Sequence, residues 1–399
     1  MANNATLLER YSYEEAVERA KALAPSIRQR GQQSEAERRQ AEETIREIVD
    51  SGLIRQLQPA RFGGHELPIR SLIDTTIEIA KADPSAGWCF TLLGLHAFML
   101  AGWPEEAQRE VWDADPNARI ASAFAPIGKF SRTEGGFKLS GRWSFSSGVD
   151  HSEWAMVGGM EPPTKEGELP KHLMFLVPKS DFRIEDDWNV AGIRASGSKT
   201  IVIPEEVFVP EHRVADLVVW SKFGQSAGMA VNPAPIYRLP IMSTIGFFLA
   251  SAVYGAARGA YELWVETSRK KVSLYTQKNV TSFSHQQIRI AELEAQLECA
   301  DLLLHQAVAR LDSGVVPDKE TKVRGARDFA YVTKVSASVV QKLFENSGAG
   351  SVYDHNPMQR FWRDVQIMSM HAALNLDFNG ENFGRLEMGV GLDPHNLYY

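Results

Sequence analysis

Between about residues 120 and 219 the spacing of apolar side chains changes period, and that change limits the fold more than any other feature of the chain. On either side of the stretch, apolar positions recur every three or four residues, the repeat of one helix face. Within it, short β-branched and aromatic runs such as 172–177 and 200–203 are punctuated by Gly, Pro and Asp. Polar segments carrying Gly and Pro, such as 161–171, read as surface loops of an antiparallel β-domain. The expected class is therefore α+β. It comprises an N-terminal α-helical domain over 1–118, a β-domain over 119–220, and a C-terminal four-helix bundle with a tail over 221–399.

The helical parts carry their own punctuation. Residues 13–53 are rich in Glu, Ala, Arg and Gln, and Gly31 and Gly52 stand where helix C-caps are expected, so two amphipathic helices are read there. Pro68 suits the first turn of a third helix ending near Asp83, and Pro84 opens a fourth through Trp88, Phe90, Leu92, His96 and Phe98. That fourth helix is almost wholly apolar and so is placed inside the fold. An acidic amphipathic piece over 104–112 closes the domain. Beyond a loop at 221–240, expected to line a pocket or an interface, Ile290, Leu293, Leu297, Ala300, Leu304, Ala307 and Leu311 form a bundle seam. A further helix over 329–345 stops at Gly348, and Pro357 opens a last long helix through Phe361, Trp362 and Ile367.

Composition removes several functional classes. A net charge of -7 argues against a nucleic-acid footprint, which needs a basic stripe. Cys89 and Cys299 stand alone, so neither a disulfide framework nor a metal site is expected. No leader pattern and no run of 18 apolar residues occurs, which reads as a cytoplasmic protein that neither spans nor inserts into a membrane. No GxGxxG or Walker sequence points to a built-in nicotinamide domain.

The chemistry is concentrated in residues 141–159, GRWSFSSGVDHSEWAMVGG. Trp143, Phe145 and Ser147 alternate with Arg142, Ser144 and Ser146, as in a strand with one apolar face ending in a hydroxyl. Ser-Ser-Gly then breaks the strand, Asp150, His151 and Trp154 follow, and Ala155-Met156-Val157 begins a second one. Taken alone, a hairpin of this kind is more often scaffold than site. The segment resembles the flavin-facing hairpin of the acyl-CoA dehydrogenase fold, in the form W-x-[FW]-[SA]-S-G-x-D-H-x-x-W carried by two-component flavin-dependent monooxygenases. Those enzymes hydroxylate substrates such as 4-hydroxyphenylacetate and 3-hydroxy-secosteroids. The order helices, β-domain, bundle is similar to theirs over essentially the whole chain.

The resemblance implies an oxygenase component that takes reduced flavin (FMNH2 or FADH2) from a separate NAD(P)H-dependent flavin reductase, reacts it with O2 to a C4a-hydroperoxide, and hydroxylates an aromatic substrate. No metal is implied, and a homotetramer is. Ser147 would bond the flavin N5 atom. His371 would face the flavin, with a pKa near the ordinary 6.5 fitting it to stabilise the peroxide or take a phenol proton. His96 would bind or deprotonate the substrate hydroxyl, although a satisfied core histidine is the bland reading of a histidine on an apolar helix. Asp150 and His151 are expected to brace the turn.

Further flavin contacts implied by the resemblance are Phe124, Ala125 and Pro126 after the first strand, Phe145 and Ser146, and Trp188 with Ser198. At the phosphate end Arg269 and Lys271 stand in for an arginine that relatives place where this chain has Val272, and Gly348 would approach from a neighbouring subunit. Trp88, Leu92, His96, Tyr237 and Met242 are the expected substrate walls, with His395 and Tyr398 as a possible lid. The substrate is expected to be a planar phenol, with indoles and polycyclic compounds as runners-up. The alternative is an acyl-CoA dehydrogenase proper, against which stand Ala372 at the position of its catalytic glutamate and Phe124-Ala125-Pro126 in place of threonine-glutamate-proline. A non-catalytic helical scaffold is the third reading.

Overall fold

The structure is a computed structural model that describes residues 10–312, 314–393 and 396; His395 and Tyr398, the expected lid, lie outside them. Helix α1 (Tyr13–Glu37) starts on a capping box in which the Ser12 and Glu15 side chains accept from each other's backbone N–H. It does not end at Gly31 as predicted. A Cβ there would meet Asp83 Oδ2 at 2.5 Å and Arg360 Nη2 at 2.6 Å, so the glycine admits a buried ion pair against the helix rather than capping it. Helix α2 (Glu42–Asp50) does stop before Gly52, whose φ is +77°. Helices α3 (Ile69–Ala82) and α4 (Pro84–Leu100) meet at Asp83, which caps α4 by accepting from the Ala86 N–H. Every residue of α4 is buried except Leu92. Helix α5 (Glu105–Trp112) leads to the β-domain.

Strands β1 (Ile120–Ala123), β4 (Trp154–Glu161), β5 (Lys171–Pro178) and β8 (Val214–Asp216) form one sheet, in the order β1-β4-β5-β8. Strands β2 (Lys129–Thr133), β3 (Gly136–Ser146), β7 (Lys199–Pro210) and β6 (Arg183–Glu185) form a second, in the order β2-β3-β7-β6. Phe137, Trp143, Phe175 and Ile201 fill the space between them. Two expectations are corrected here. The 141–159 segment is not a hairpin: β3 pairs with β7 and β4 with β5, so the turn after Ser147 carries the chain from one sheet to the other. The domain is also not wholly antiparallel, because β4 re-enters beside β1 in the same direction after the excursion through β2 and β3.

The C-terminal part holds α6 (Leu217–Phe223), α7 (Ile241–Lys270), α8 (Ser284–Leu311), α9 (Lys319–Glu345), α10 (Pro357–Ser369) and α11 (Leu376–Glu387). The seam read from the sequence is buried at Leu293, Leu297, Ala300, Leu304, Ala307 and Leu311. Helix α7 is long and apolar enough to cross a bilayer, but it is a core helix, packed against α3, α4 and α9. The predicted last long helix is broken. After Ser369 the His371 side chain caps a short turn by accepting from the Ala373 N–H, and Asn375 caps α11 by accepting from the Phe378 N–H. Two successive side-chain caps end one helix and start the next.

The N-terminal helices are tied to the bundle by a partly buried charge cluster. His305 Nε2 lies 2.7 Å from Asp74 Oδ1, Nδ1 lies 3.3 Å from Asp301 Oδ1, and Tyr13 donates to Asp74. The Asp301 and Asp74 carboxylates raise the His305 pKa to about 10. A cation favoured by the fold stabilises it fully below the free histidine value of about 6.5, and that contribution is lost as pH rises through 10. Thermal melts of His305→Gln are therefore expected to fall furthest below wild type at pH 6 and to converge with it by pH 10.5. A gap independent of pH would contradict the charged pairing.

Candidate active site

The bulge between Trp143 and Ser146 sets the local geometry. Trp143 is fully buried with its Nε1–H on Gly158 O (2.8 Å), whereas Phe145 takes a φ of +67° and is 73 % exposed. Phe145 thus leaves the face that strict alternation assigns it, because the extra residue reverses the facing of the strand's end. A bulky residue in left-handed backbone with an exposed ring is a strained arrangement of the kind that collects at binding sites. The Phe145 ring meets Trp188 edge to face at 5.9 Å.

Next to this aromatic corner lies a chain of hydroxyls. Ser147 Oγ accepts from Trp88 Nε1 (3.1 Å) and shares a proton with Ser198 Oγ (2.7 Å), which in turn pairs with Ser196 Oγ (2.6 Å). Ser146 Oγ is buried without a hydrogen-bond partner among the described residues. Asp150 pairs with Lys199 (3.0 Å), and His151 Nε2 lies 3.0 Å from Gln40 O, so both hold the turn between the sheets.

Trp88 also reaches the far end of the chain: its ring centroid is 5.7 Å from that of His371. His371 is exposed beside Trp88, and desolvation by the surrounding protein pushes its pKa down to about 4. Its Nδ1 accepts from the Ala373 N–H (3.2 Å), so the neutral ring carries its proton on Nε2. The sequence-based expectation of an imidazole near pKa 6.5 changes accordingly, to a neutral hydrogen-bond donor at pH 7.

His96 sits two turns beyond Trp88 on α4 with Leu92 between them, and these positions share one face. Burial lowers its pKa to about 4. Nδ1 donates to the Ile120 carbonyl, which can only accept, so Nε2 is the lone-pair nitrogen and accepts a hydrogen bond from the Ser122 hydroxyl at 2.7 Å. His96 is thus a satisfied core histidine, and direct deprotonation of a ligand by it is not supported. Ser122 carries no motif, although a lone hydroxyl in the buried strand Ile120-Ala-Ser-Ala requires a partner, and that requirement is the available signal.

Other expected residues separate. Tyr237 is not a cleft wall: it is buried, stacked 6.3 Å from Phe98, with its hydroxyl on Leu57 O (3.1 Å). Met242 and Leu92 are half-buried on otherwise buried stretches of α7 and α4. Phe124 O accepts from His172 Nε2 (2.8 Å), and Ala125 and Pro126 are exposed beyond it. Lys271 Nζ bonds Ser347 O at 2.6 Å, and a Cβ on Gly348 would come within 2.9 Å of that nitrogen. Arg269, Lys271 and Gly348 therefore gather at the exposed end of α7 and α9, beside Tyr275, which is 100 % exposed. Among the described residues, none of the three is hydrogen-bonded to the serine chain.

The donor set fits a flavin ring. An exposed aromatic edge suits its apolar faces, and the Ser147 chain with the unpartnered Ser146 hydroxyl suits its polar rim.

Comparison with known proteins agrees in fold and length. Residues 247–376 match the family described as acyl-CoA dehydrogenase, C-terminal domain. The chain is 34% identical over 379 residues to the flavin-dependent monooxygenase oxygenase subunit HsaA of Rhodococcus jostii, covering 94% of this chain and 98% of that one. It is 31% identical over 394 residues to the FADH2-dependent resorcinol hydroxylase oxygenase component of a Rhizobium species, covering 96% and 95%. The crystal structure of 3-HSA hydroxylase from Rhodococcus sp. RHA1 superposes with a TM-score of 0.90 at 33% identity, over 97% of this chain and 100% of that one.

Proposed function

The chain belongs to the oxygenase subunits of flavin-dependent monooxygenases, in the acyl-CoA dehydrogenase fold, and we propose that it hydroxylates a phenol or a related fused-ring aromatic in the cleft between Ser147, His371 and α4. The observation that carries this reading is the Trp88 indole, bonded to Ser147 Oγ and with its ring 5.7 Å from that of His371, which joins the hydroxyl chain to a neutral imidazole donor.

When bound, reduced flavin supplies the electrons by which one atom of O2 enters the ring and the other leaves as water. Ser147, backed by Ser198 and Ser196, would hold the flavin's polar rim by a hydrogen bond, and Phe145 with Trp188 would pack against its apolar part. His371 Nε2–H donates to the oxygen side of the cleft. Ser122 Oγ would receive the substrate hydroxyl, its own proton held by His96 Nε2. Trp88, Leu92 and Met242 keep the substrate side apolar and exclude water. A position-372 alanine leaves the cleft without the carboxylate that α-proton abstraction from an acyl-CoA needs.

Arg269, Lys271 and Gly348 are assigned to the flavin phosphate of a second copy, as expected of a tetramer that also covers Leu274 and Tyr275. A separate NAD(P)H-dependent reductase is the partner this scheme needs, and the cytoplasm is where it would find one.

The test is anaerobic titration with FMNH2 and with FADH2, followed by 18O2 in the presence of resorcinol, 4-hydroxyphenylacetate and indole. Incorporation of one labelled atom into one of these is the expected result. Failure to bind either reduced flavin, with bleaching of bound oxidised FAD by an acyl-CoA instead, would overturn it.

A further inference from the structure

A single buried carboxylate joins the two walls of the cleft. Asp364 lies on α10, seven residues before His371. Its Oδ2 accepts from Ser85 Oγ (3.0 Å) in the first turn of α4, one turn before Trp88. Its Oδ1 accepts from the Ile193 N–H (2.6 Å). Ile193 has a φ of +46°, a left-handed conformation that a β-branched residue resists, so something must hold it there. The Ile193 carbonyl in turn accepts from Trp188 Nε1 (3.2 Å) and from the Ser196 N–H (3.0 Å). One wall therefore reaches Ser147 through Ser85 and Trp88, and the other through Ile193, Ser196 and Ser198.

The neighbours of Asp364 press the same segment onto α10. Arg363 Nη1 donates to Ala191 O (2.6 Å) while its guanidinium pairs with Glu35, and a Cβ on Gly192 would lie 2.4 Å from Arg363 O. Arg360 pairs with Asp83 (3.4 Å), the carboxylate that caps α4 beside Asp364.

We propose that Asp364 is a positioning residue: it fixes the 188–198 segment against α4 and so sets the seat on which Phe145, Trp188 and the serine chain receive the flavin ring. The flavin part rests on the oxygenase reading; the ordering of the segment does not. Burial, with Asp83 nearby, raises the Asp364 pKa to about 7. Both protonation states serve. The anion accepts both bonds, and the acid keeps Oδ1 on Ile193 while its O–H turns to Ser85 Oγ.

The experiment is hydrogen–deuterium exchange of flavin-free, full-length protein, followed by reduced-flavin titration, for wild type, Asp364→Asn and Asp364→Ala. In wild type the Ile193 amide is expected to be among the slowest in its segment. In Asp364→Ala the segment is expected to exchange about tenfold faster or more, with flavin Kd rising by about the same factor, while Asn, which keeps an acceptor for Ile193, stays within about threefold on both. An Ile193 amide that exchanges like an open loop in wild type overturns the proposal without any variant. So does an Asn variant as labile as Ala, or an Ala variant with unchanged protection. If wild type shows the protection but binds no reduced flavin, the clamp stands and the oxygenase reading fails.

Discussion

Replacing His371 by alanine is expected to lower product formed per O2 consumed by about one to two orders of magnitude, while reduced flavin still binds. The imidazole is neutral at pH 7, with Nδ1 committed to the Ala373 N–H, so on the proposed reading it would contribute one hydrogen bond donated from Nε2. Alanine removes that donor, and oxygen then leaves as hydrogen peroxide instead of entering the ring. His371→Gln is expected to recover part of the coupling, since its amide can donate from a similar place. The pH profile supplies a second check. A group whose pKa is lowered to about 4 does not titrate between pH 6 and 9, so His371 should impose no inflection there. Product-to-oxygen ratios by oxygen electrode and mass spectrometry decide the matter, and unchanged coupling in the alanine variant would remove His371 from the chemistry.

Periodicity carried the fold a long way, and it failed where one position served two elements. The apolar run from Trp88 to Phe98 and the seam from Leu293 to Leu311 are legible because helices bury one face or all faces in proportion to their pattern. The segment 141–159 reads as a hairpin because two strands flank a turn, and nothing local states that β3 and β4 belong to different sheets. Pairing of distant strands is a long-range property. Phe145 was placed on the Trp143 face because alternation assumes an unbroken pleat, which the bulge interrupts. Gly31 looked like a stop, since its real reason, a buried Asp83–Arg360 pair, comes from segments far along the chain.

The site shows the same division. Ser147, Trp88 and His371 were named from the sequence, and the structure brings them together. Ser122 and Asp364 gained no role, because hydroxyls and carboxylates acquire function from partners that only the fold supplies. Tyr237 was misplaced for a related reason: an aromatic near a loop has the same composition whether it lines a cleft or stacks in the core.

Ser147→Ala should combine two effects that are separable. The first is structural: Trp88 Nε1–H loses its acceptor in a buried place, which costs about 1–3 kcal/mol and lowers the melting temperature. The second is chemical: with the proposed flavin contact of Ser147 lost, the Ser198–Ser196 hydroxyl chain would no longer reach the flavin rim, so bound flavin is expected to reoxidise faster and more of the O2 to emerge as hydrogen peroxide. Adding Trp88→Phe removes the orphaned donor while keeping most of the ring. In the double variant, part of the stability lost in Ser147→Ala should return, whereas the peroxide yield should stay high. A double-mutant cycle read by both melting and coupling therefore distinguishes a serine that only anchors Trp88 from one that also meets the flavin. Were stability and coupling to recover together, Ser147 would be a packing partner of Trp88 and nothing more, and its proposed contact with the flavin would have to be given to Ser146, whose buried hydroxyl has no other partner among the described residues.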